Sequence, residues 1–239
     1  MEPSISIPAW AQGRPGRGQG GFSAARFAFA VGQPVAIDLR APIPLEADLQ
    51  VASVGDGWEL RHGSTTIMRA APRHPGGLPR TEAVAVADAA EAMAGFPGTD
   101  GEHEAAGCFS CGLGKQTMQV WPGPLGDGTG RTATRWSPPS WVGDAEGRVD
   151  DAMAWTALDC VQGFFVNFGA GPRRNSLTVR FEAEVHRPVT VGAEYAIVGF
   201  DGDGSGWQGR KRMAAANIFD TEGQLVASAA SLWVEPRPG

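Results

Sequence analysis

An aspartate stands in the middle of the most apolar segment of the chain, where a carboxylate could support acid–base chemistry. Asp159 lies within residues 150–165, and Thr156 and Gln162 flank it at spacings of three. These spacings gather the few polar groups near one face of a helix. A carboxylate in such surroundings must find donors, water or a proton, and burial raises its pKa towards values that suit a general base or nucleophile. A structural aspartate that accepts hydrogen bonds from a neighbouring loop is the alternative.

Two predicted helices must position this carboxylate. Residues 150–165 begin with two acidic residues, which suit a helix N-terminus, and are apolar almost all round, which is typical of a buried helix. Residues 20–31 form the second helical candidate, and the glycine-rich stretch 18–21 introduces it. Each half of the chain therefore contains one helix that can lie under a sheet.

Each predicted helix is followed by the same series of alternating strands. Residues 41–51 and 187–197 match in their placement of proline, aliphatic and acidic residues, and a strand with period-two apolar spacing precedes each. Asp-Gly and glycine-rich turns then separate further strands, which indicates antiparallel meanders. We interpret the chain as a duplicated α+β unit, with chance similarity between two amphipathic strands as the alternative.

The repeat divides the chain of 239 residues into two halves and a connector. The predicted parts are a shortened N-terminal half (1–77), a linker with an Ala-rich helix over Glu82–Ala94 (78–107) and a C-terminal half (108–239). A hairpin of Met118–Val120 with Thr132–Trp136 is predicted to open the C-terminal half. The content of 34 Gly and 18 Pro favours short strands and frequent turns.

Composition excludes several kinds of partner. The formal net charge is −6, from 20 basic and 26 acidic side chains, and no basic stripe marks a nucleic-acid or membrane surface. No apolar run approaches the ~18 residues of a membrane span, and the N-terminus lacks the apolar stretch of a secretory signal. Three cysteines, Cys108, Cys111 and Cys160, indicate reduced thiols in the cytoplasm.

Other catalytic or metal-binding patterns are incomplete. Cys108 and Cys111 form one C-x-x-C pair, which is half of a zinc site, and His103 five residues earlier would still leave a fourth ligand missing. We therefore expect no metal and no cofactor. The serines lack a Gly-x-Ser-x-Gly elbow, and the four histidines are scattered, which disfavours a serine hydrolase and a hydratase with paired Asp and His.

Helix, meander, duplication and central acid together resemble the double-hotdog acyl-CoA thioesterases, the type II thioesterase-like family of the hotdog superfamily. In that family two tandem hotdog folds, each an antiparallel sheet wrapped around a central helix, pair into one unit. Asp159 matches the position of the family's catalytic aspartate, and Thr178, followed by His186-Arg187-Pro188, matches that of its threonine. Ser231 stands where the family has a glutamine, after Leu225-Val226-Ala227-Ser228.

The resemblance also covers shorter elements. Gly20-Gly21 is similar to the start of the family's first helix, and Cys108-Phe109-Ser110-Cys111-Gly112 resembles an element of some bacterial hotdog thioesterases. The resemblance implies hydrolysis of an acyl-CoA to free acid and CoA. Asp159 would activate water or attack the carbonyl, Thr178 would orient that water or the carboxylate, and Ser231 could donate one hydrogen bond in place of the glutamine.

Substrate would lie between the two halves, with backbone amides at the first helix start as oxyanion donors. The expected substrate-binding residues are Gln19, Gly20, Gly21, Phe22, Trp155, Phe164, Arg173 and Arg174. Arg173 and Arg174 either contact the CoA phosphates or form an ordinary solvated pair. The rival function is a non-catalytic acyl-thioester or fatty-acyl binding protein, followed by an enoyl-CoA hydratase. Free sheet edges leave a homo-oligomer open.

Overall fold

One antiparallel sheet dominates the computed structural model, which describes residues 3–100, 106–114, 116–169 and 172–237. Within these residues the strands are β1 (Ser4–Ile5), β2 (Val35–Leu39), β3 (Leu49–Val54), β4 (Gly57–His62), β5 (Thr65–Pro72), β6 (Gly123–Pro124), β7 (Thr132–Trp136), β8 (Leu177–Val185), β9 (Tyr195–Asp201), β10 (Trp207–Gln208), β11 (Lys211–Phe219) and β12 (Leu225–Val234). Their order is β1-β3-β4-β5-β2-β8-β12-β11-β9-β7-β6, and β10 pairs with β11 beside this path. The predicted α+β class, with a large antiparallel sheet, is confirmed.

The α-helices of the described residues are α1 (Gly20–Val31), α2 (Val86–Ala92) and α3 (Asp151–Phe168). α1 has its predicted bounds because the Gln19 side chain accepts a hydrogen bond from the Phe22 amide at 2.7 Å, and Gly32 ends the helix at φ 78°. α3 begins where the Asp150 side chain accepts a hydrogen bond from the Ala152 amide at 2.9 Å. None of these helices is both long and apolar enough to cross a membrane.

The two halves of the sheet have the same connectivity. In the first half, a strand (β1), a helix (α1) and four further strands are arranged in the order β1-β3-β4-β5-β2. In the second half, β7, α3 and the later strands repeat this order as β7-β9-β11-β12-β8. In each half, therefore, the strand that follows the helix lies at the inner edge.

The halves join where these inner strands pair. β2 and β8 run antiparallel, with Ile37 opposite Phe181 and Asp38 opposite Arg180. α1 and α3 lie against each other and share one hydrophobic core with the sheet, to which Phe27 and Leu158 contribute fully buried side chains. Burial on all sides explains why α3 is apolar almost all round.

The connector between the halves packs on the other side of the second half of the sheet. Ala89 of α2 is fully buried with Ala196 and Val198 of β9, whereas the alternate residue Ile197 faces the main core. The helix is shorter than the predicted Glu82–Ala94, and residues 101–105 of the predicted linker, His103 among them, lie outside the described residues.

The predicted strand Met118–Val120 is wrong. These residues form no strand, and the short β6 pairs with β7 instead. Met118 and Val120 are nevertheless fully buried, because their amides donate to the Phe109 and Ser110 carbonyls and draw the segment into the core.

Candidate active site

The Asp159 carboxylate is buried where the start of α1 meets the middle of α3. Its residue is only 6% exposed. Gln19 Nε2 donates to Oδ2 at 2.6 Å, the Gly21 amide donates to the same oxygen at 3.1 Å, and Thr178 Oγ1 donates to Oδ1 at 3.0 Å. Three donors from two parts of the chain, the start of α1 and β8, compensate the burial of this group. The pairing of Asp159 with Thr178 has the geometry that the sequence resemblance implied.

Burial also shifts the titration of this carboxyl group. Removal from water raises the pKa of Asp159 to about 6, although the hydrogen bonds from the Gly21 amide, Thr178 and Gln19 oppose the shift. A carboxyl group with such a pKa is still largely ionised at neutral pH and accepts a proton readily.

The start of α1 approaches α3 so closely that glycine is required there. A Cβ added at Gly21 would lie 2.7 Å from Asp159 Cβ and 2.7 Å from the Trp155 carbonyl oxygen. A Cβ at Gly20 would lie 3.2 Å from Asp159 Oδ2. The Gly20-Gly21 pair therefore lets the helix start approach the carboxylate closely enough for the Gly21 amide to donate to it. Gln19 adds to this arrangement, because its Oε1 caps α1 while its Nε2 holds Asp159.

A cavity of about 670 Å³ opens onto Asp159 and Thr178. Its apolar wall comes from both halves of the chain and includes Leu39, Ile43, Phe164, Phe168 and Trp233. Its rim includes the five arginines Arg14, Arg17, Arg40, Arg173 and Arg174. Gln19, Gly20 and Phe164 line the cavity as the sequence predicted.

Arginine residues concentrate around this cavity in a protein whose net charge is −6. Arg174 forms an ion pair with Glu235 at 2.6 Å and lies over the Trp207 ring, and Arg173 lies over the Phe168 ring. The sequence interpretation included these two arginines and missed Arg14, Arg17 and Arg40. The glycine-rich segment that carries Arg14 and Arg17 was the available signal, since flexible basic loops suit phosphate contacts.

Two aromatic residues predicted to contact substrate lie elsewhere. The Phe22 ring packs edge-on against Trp10 and Phe109, with centroids 5.2 and 5.7 Å away. Trp155 packs against Phe181, and its side chain lines a different cleft. Neither side chain therefore lines the Asp159 cavity where the sequence interpretation placed it. Phe22 is held by its aromatic neighbours, and Trp155, although one turn before Asp159 on the same helix, is turned towards Phe181.

Ser231 also lies away from the carboxylate. It is 1% exposed, its hydroxyl donates to Gln162 Oε1, and it accepts a hydrogen bond from Trp233 Nε1 at 2.6 Å. The side chain does not line the Asp159 cavity, whereas Trp233, two residues later, does. The predicted position of Ser231 beside Asp159 is therefore wrong, because its hydroxyl is bonded to Gln162 and Trp233 instead.

The three cysteines meet next to this site. Their Sγ atoms all lie within 4.8 Å of one another, and Cys108, Cys111 and Cys160 all line the cavity. Hydrogen bonds from the Cys111 and Cys160 thiols hold the pKa of Cys108 well below its usual range. The sequence interpretation counted only the C-x-x-C pair, because nothing in the spacing signals that a cysteine on a helix 49 residues later completes a group of three.

Comparison with known proteins gives structural similarities only. No family model and no curated protein matches the chain. A solved thioesterase superfamily protein is similar with a TM-score of 0.41 and 22% identity, over 48% of this chain and 52% of its own, so the match spans about half of that protein. A Streptococcus mutans protein bound to acetyl CoA is similar with a TM-score of 0.40 and 13% identity, over 45% of this chain and 82% of its own. A hypothetical thioesterase with coenzyme A from Streptococcus pneumoniae TIGR4 is similar with a TM-score of 0.39 and 13% identity, over 45% and 80%.

Proposed function

We propose that this chain is a double-hotdog acyl-CoA thioesterase that hydrolyses its substrate in the Asp159 cavity. The main observation in support is the buried Asp159 carboxylate, which accepts hydrogen bonds from Gln19, the Gly21 amide and Thr178. This carboxylate lines a cavity with apolar walls and arginines at its rim. The double-hotdog assignment is supported by the strand order that occurs in both halves around α1 and α3.

Asp159 is the group that starts the reaction. Oδ2 accepts two hydrogen bonds, whereas Oδ1 accepts only the one from Thr178, so Oδ1 is the oxygen with a lone pair left for reaction. This oxygen either removes a proton from water as the water attacks the thioester carbonyl, or attacks that carbon itself. The C–S bond then breaks, and the leaving thiolate takes up a proton to give CoA. In the second route the product is an acyl–Asp159 anhydride, which water then hydrolyses to the acid and free Asp159. Hydrolysis in ¹⁸O-labelled water under single-turnover conditions separates the routes: attack by water puts one ¹⁸O into the acid, whereas an anhydride opened at the Asp159 carbon releases a first acid without ¹⁸O and labels Asp159.

The start of α1 supplies the donor for the developing oxyanion. Gly20 lines the cavity, and among the described residues no group accepts a hydrogen bond from its amide. The positive end of the helix dipole adds to the stabilisation of negative charge at this point. Gly20 therefore provides the oxyanion contact, while Gly21 holds the carboxylate.

The lining of the cavity fits an acyl-CoA better than a short neutral ester. Phe164, Phe168 and Trp233 provide apolar contacts for an acyl or pantetheine chain. The five arginines at its rim provide charge-assisted hydrogen bonds for phosphates. No histidine of the described residues lines the cavity, which argues against the hydratase alternative.

The test is thiol release from a panel of acyl-CoAs, followed with a chromogenic disulfide reagent. We expect turnover by the parent and a decrease of about 10²–10⁴-fold in kcat for Asp159→Asn, which removes the proton acceptor. Asp151→Asn is the matched control, since Asp151 lies on the same helix but lines a different cleft, and it should retain parental activity. Equal rates for the parent and Asp159→Asn would refute the proposed mechanism.

The rival binding function has one supporting observation. Ser231 and its partner Gln162 leave the cavity without the polar group that the resemblance placed on the last strand. A non-catalytic protein would bind acyl-CoA tightly, measured by calorimetry, and release no thiol from any member of the panel.

A further inference from the structure

Three thiols from two distant parts of the sequence converge beside the Asp159 cavity. Cys108 and Cys111 belong to the loop that precedes β6, whereas Cys160 lies on α3, and the chain has no other cysteine. All three are buried, with sulfur atoms within 4.8 Å of one another. Sulfur ligands of one zinc ion, at ~2.3 Å from the metal, lie about 3.8 Å apart. The existing cluster therefore needs only small side-chain movements to surround one cation.

The loop that carries two of these thiols is held in a defined conformation. The Ser110 amide donates to Cys108 Sγ at 3.4 Å, and the Gly112 amide donates to the Cys108 carbonyl at 2.8 Å. A Cβ at Gly112 would lie 2.5 Å from the carbonyl oxygens of Ala106 and Cys108, so this tight turn requires glycine. Amide donors directed at sulfur stabilise the thiolate form that binds metals.

The third thiol, that of Cys160, has a polar neighbour in the Gln19 side chain. Gln19 Nε2 lies 3.8 Å from Cys160 Sγ as well as 2.6 Å from Asp159 Oδ2. All three cysteines line the cavity instead of packing only against apolar side chains. Cysteines that only fill the core have no reason to bring three sulfur atoms together at one cavity. A disulfide would use only two of the three sulfurs, so it does not explain the cluster either.

From this convergence we infer that Cys108, Cys111 and Cys160 bind one thiophilic divalent cation, zinc, through three thiolates. The fourth coordination position faces the cavity. Three protein ligands with an open position are a known zinc arrangement, and soft thiolates select such a metal. Each thiol releases its proton to solvent as its sulfur binds, and no electron is transferred. The cation would tie the 108–112 loop to α3.

Cobalt binding by the reduced full-length protein tests the inference directly. Because every cysteine belongs to the cluster, any thiolate-to-cobalt charge-transfer absorption reports on this site alone. We expect the band to saturate at one Co²⁺ per chain in anaerobic titration and to disappear when Zn²⁺ is added. Cys160→Ser should weaken Co²⁺ binding by more than the roughly 10–100-fold that loss of an outer hydrogen bond costs.

Ser110→Ala is the matched control, because it changes a buried residue of the same loop while keeping the amide that donates to Cys108. It should bind Co²⁺ like the parent. Absence of the band in reduced protein that is folded by circular dichroism would overturn the inference, as would an unchanged band in folded Cys160→Ser. Asp159→Asn retains all three thiols, so it should bind Co²⁺ like the parent even though it loses thioester hydrolysis. The metal site and the proposed hydrolysis can therefore fail independently.

Discussion

The start of each central helix lies near the middle of the other, which gives two helix junctions. The candidate active site lies at the first of them. At the first, the start of α1 meets Asp159, the ninth residue of α3. At the second, Asp151 at the start of α3 lines a cleft of about 550 Å³ together with Ala28, the ninth residue of α1. The sheet repeats the same connectivity around both. The repeated fold therefore provides two similar helix junctions, and the candidate site lies at the first.

The difference shows which residues turn a helix junction into a site. The first junction combines a buried carboxylate with two glycines that let the Gly21 amide reach it. The second has an alanine at the ninth residue, and Arg26 lies 3.6 Å from Asp150 at the surface of its helix start. A helix dipole is present at both junctions. The first junction differs from the second in the close approach of its two helices and in the buried carboxylate that accepts a helix amide.

The largest effect should come from closing the first junction. Gly21→Ala forces a methyl group to within 2.7 Å of Asp159 Cβ and the Trp155 carbonyl oxygen, so we expect a loss of about 1–3 kcal/mol of unfolding free energy together with loss of thioester hydrolysis. Ala152→Gly, the reciprocal change at the second junction, should cost about 1 kcal/mol and leave kcat/KM unchanged. Urea unfolding and thiol release measure both. Equal activities of the two variants would show that the junctions do not differ functionally.

A smaller effect is expected when the carboxylate keeps its place but loses one donor. Thr178→Val removes the hydrogen bond of 3.0 Å to Asp159 Oδ1. A hydrogen bond to a charged group contributes about 1.5–3 kcal/mol, so kcat/KM should fall roughly 10–100-fold. Thr178→Ser keeps the hydroxyl and should restore most of the activity. If Thr178→Val and Thr178→Ser are equally active, the threonine does not orient Asp159.

The smallest effect concerns charge at the cavity rim. Arg17→Gln should raise KM for acyl-CoA by about three- to tenfold, because one phosphate contact is lost. It should not change KM for an N-acetylcysteamine thioester, which has no phosphates. Arg148→Gln, on a cleft near the second junction, is the matched control and should leave both KM values unchanged. A similar increase in KM for both substrates would remove the phosphate-binding role of Arg17.

Local pattern was sufficient for most elements of the fold. The bounds of α1, β3 and β7 agree with the sequence prediction, because apolar periodicity and turn residues act over a few neighbouring positions. Met118–Val120 was misassigned because a buried apolar run looks the same in a strand and in a buried loop. α2 begins four residues later and ends two residues earlier than the predicted Glu82–Ala94, since alanine content alone does not specify where a helix starts and stops.

The candidate site was only partly predictable. Asp159 and Thr178 were identified, and Gln19 was expected to contact substrate, whereas the structure also makes it a direct donor to the carboxylate. Trp155 was assigned to the site because it is aromatic and close to Asp159 in sequence. A rotation of about 100° per residue brings residues four apart to nearly the same helix face. Only tertiary packing against Phe181 turns the Trp155 ring towards a different cleft.

By itself, the sequence determined most of the helices and strands, the repeated pattern and the presence of one carboxylate in an apolar helix, since each depends on residues close together in the chain. Only the tertiary structure decided what surrounds that carboxylate. The pairing of β2 with β8 and the contact of α1 with α3 bring Gln19 to Asp159, Cys160 to Cys108, and rim arginines from both halves to one cavity. Such contacts join residues far apart in the chain, and local periodicity contains no information about which distant surfaces will be buried together.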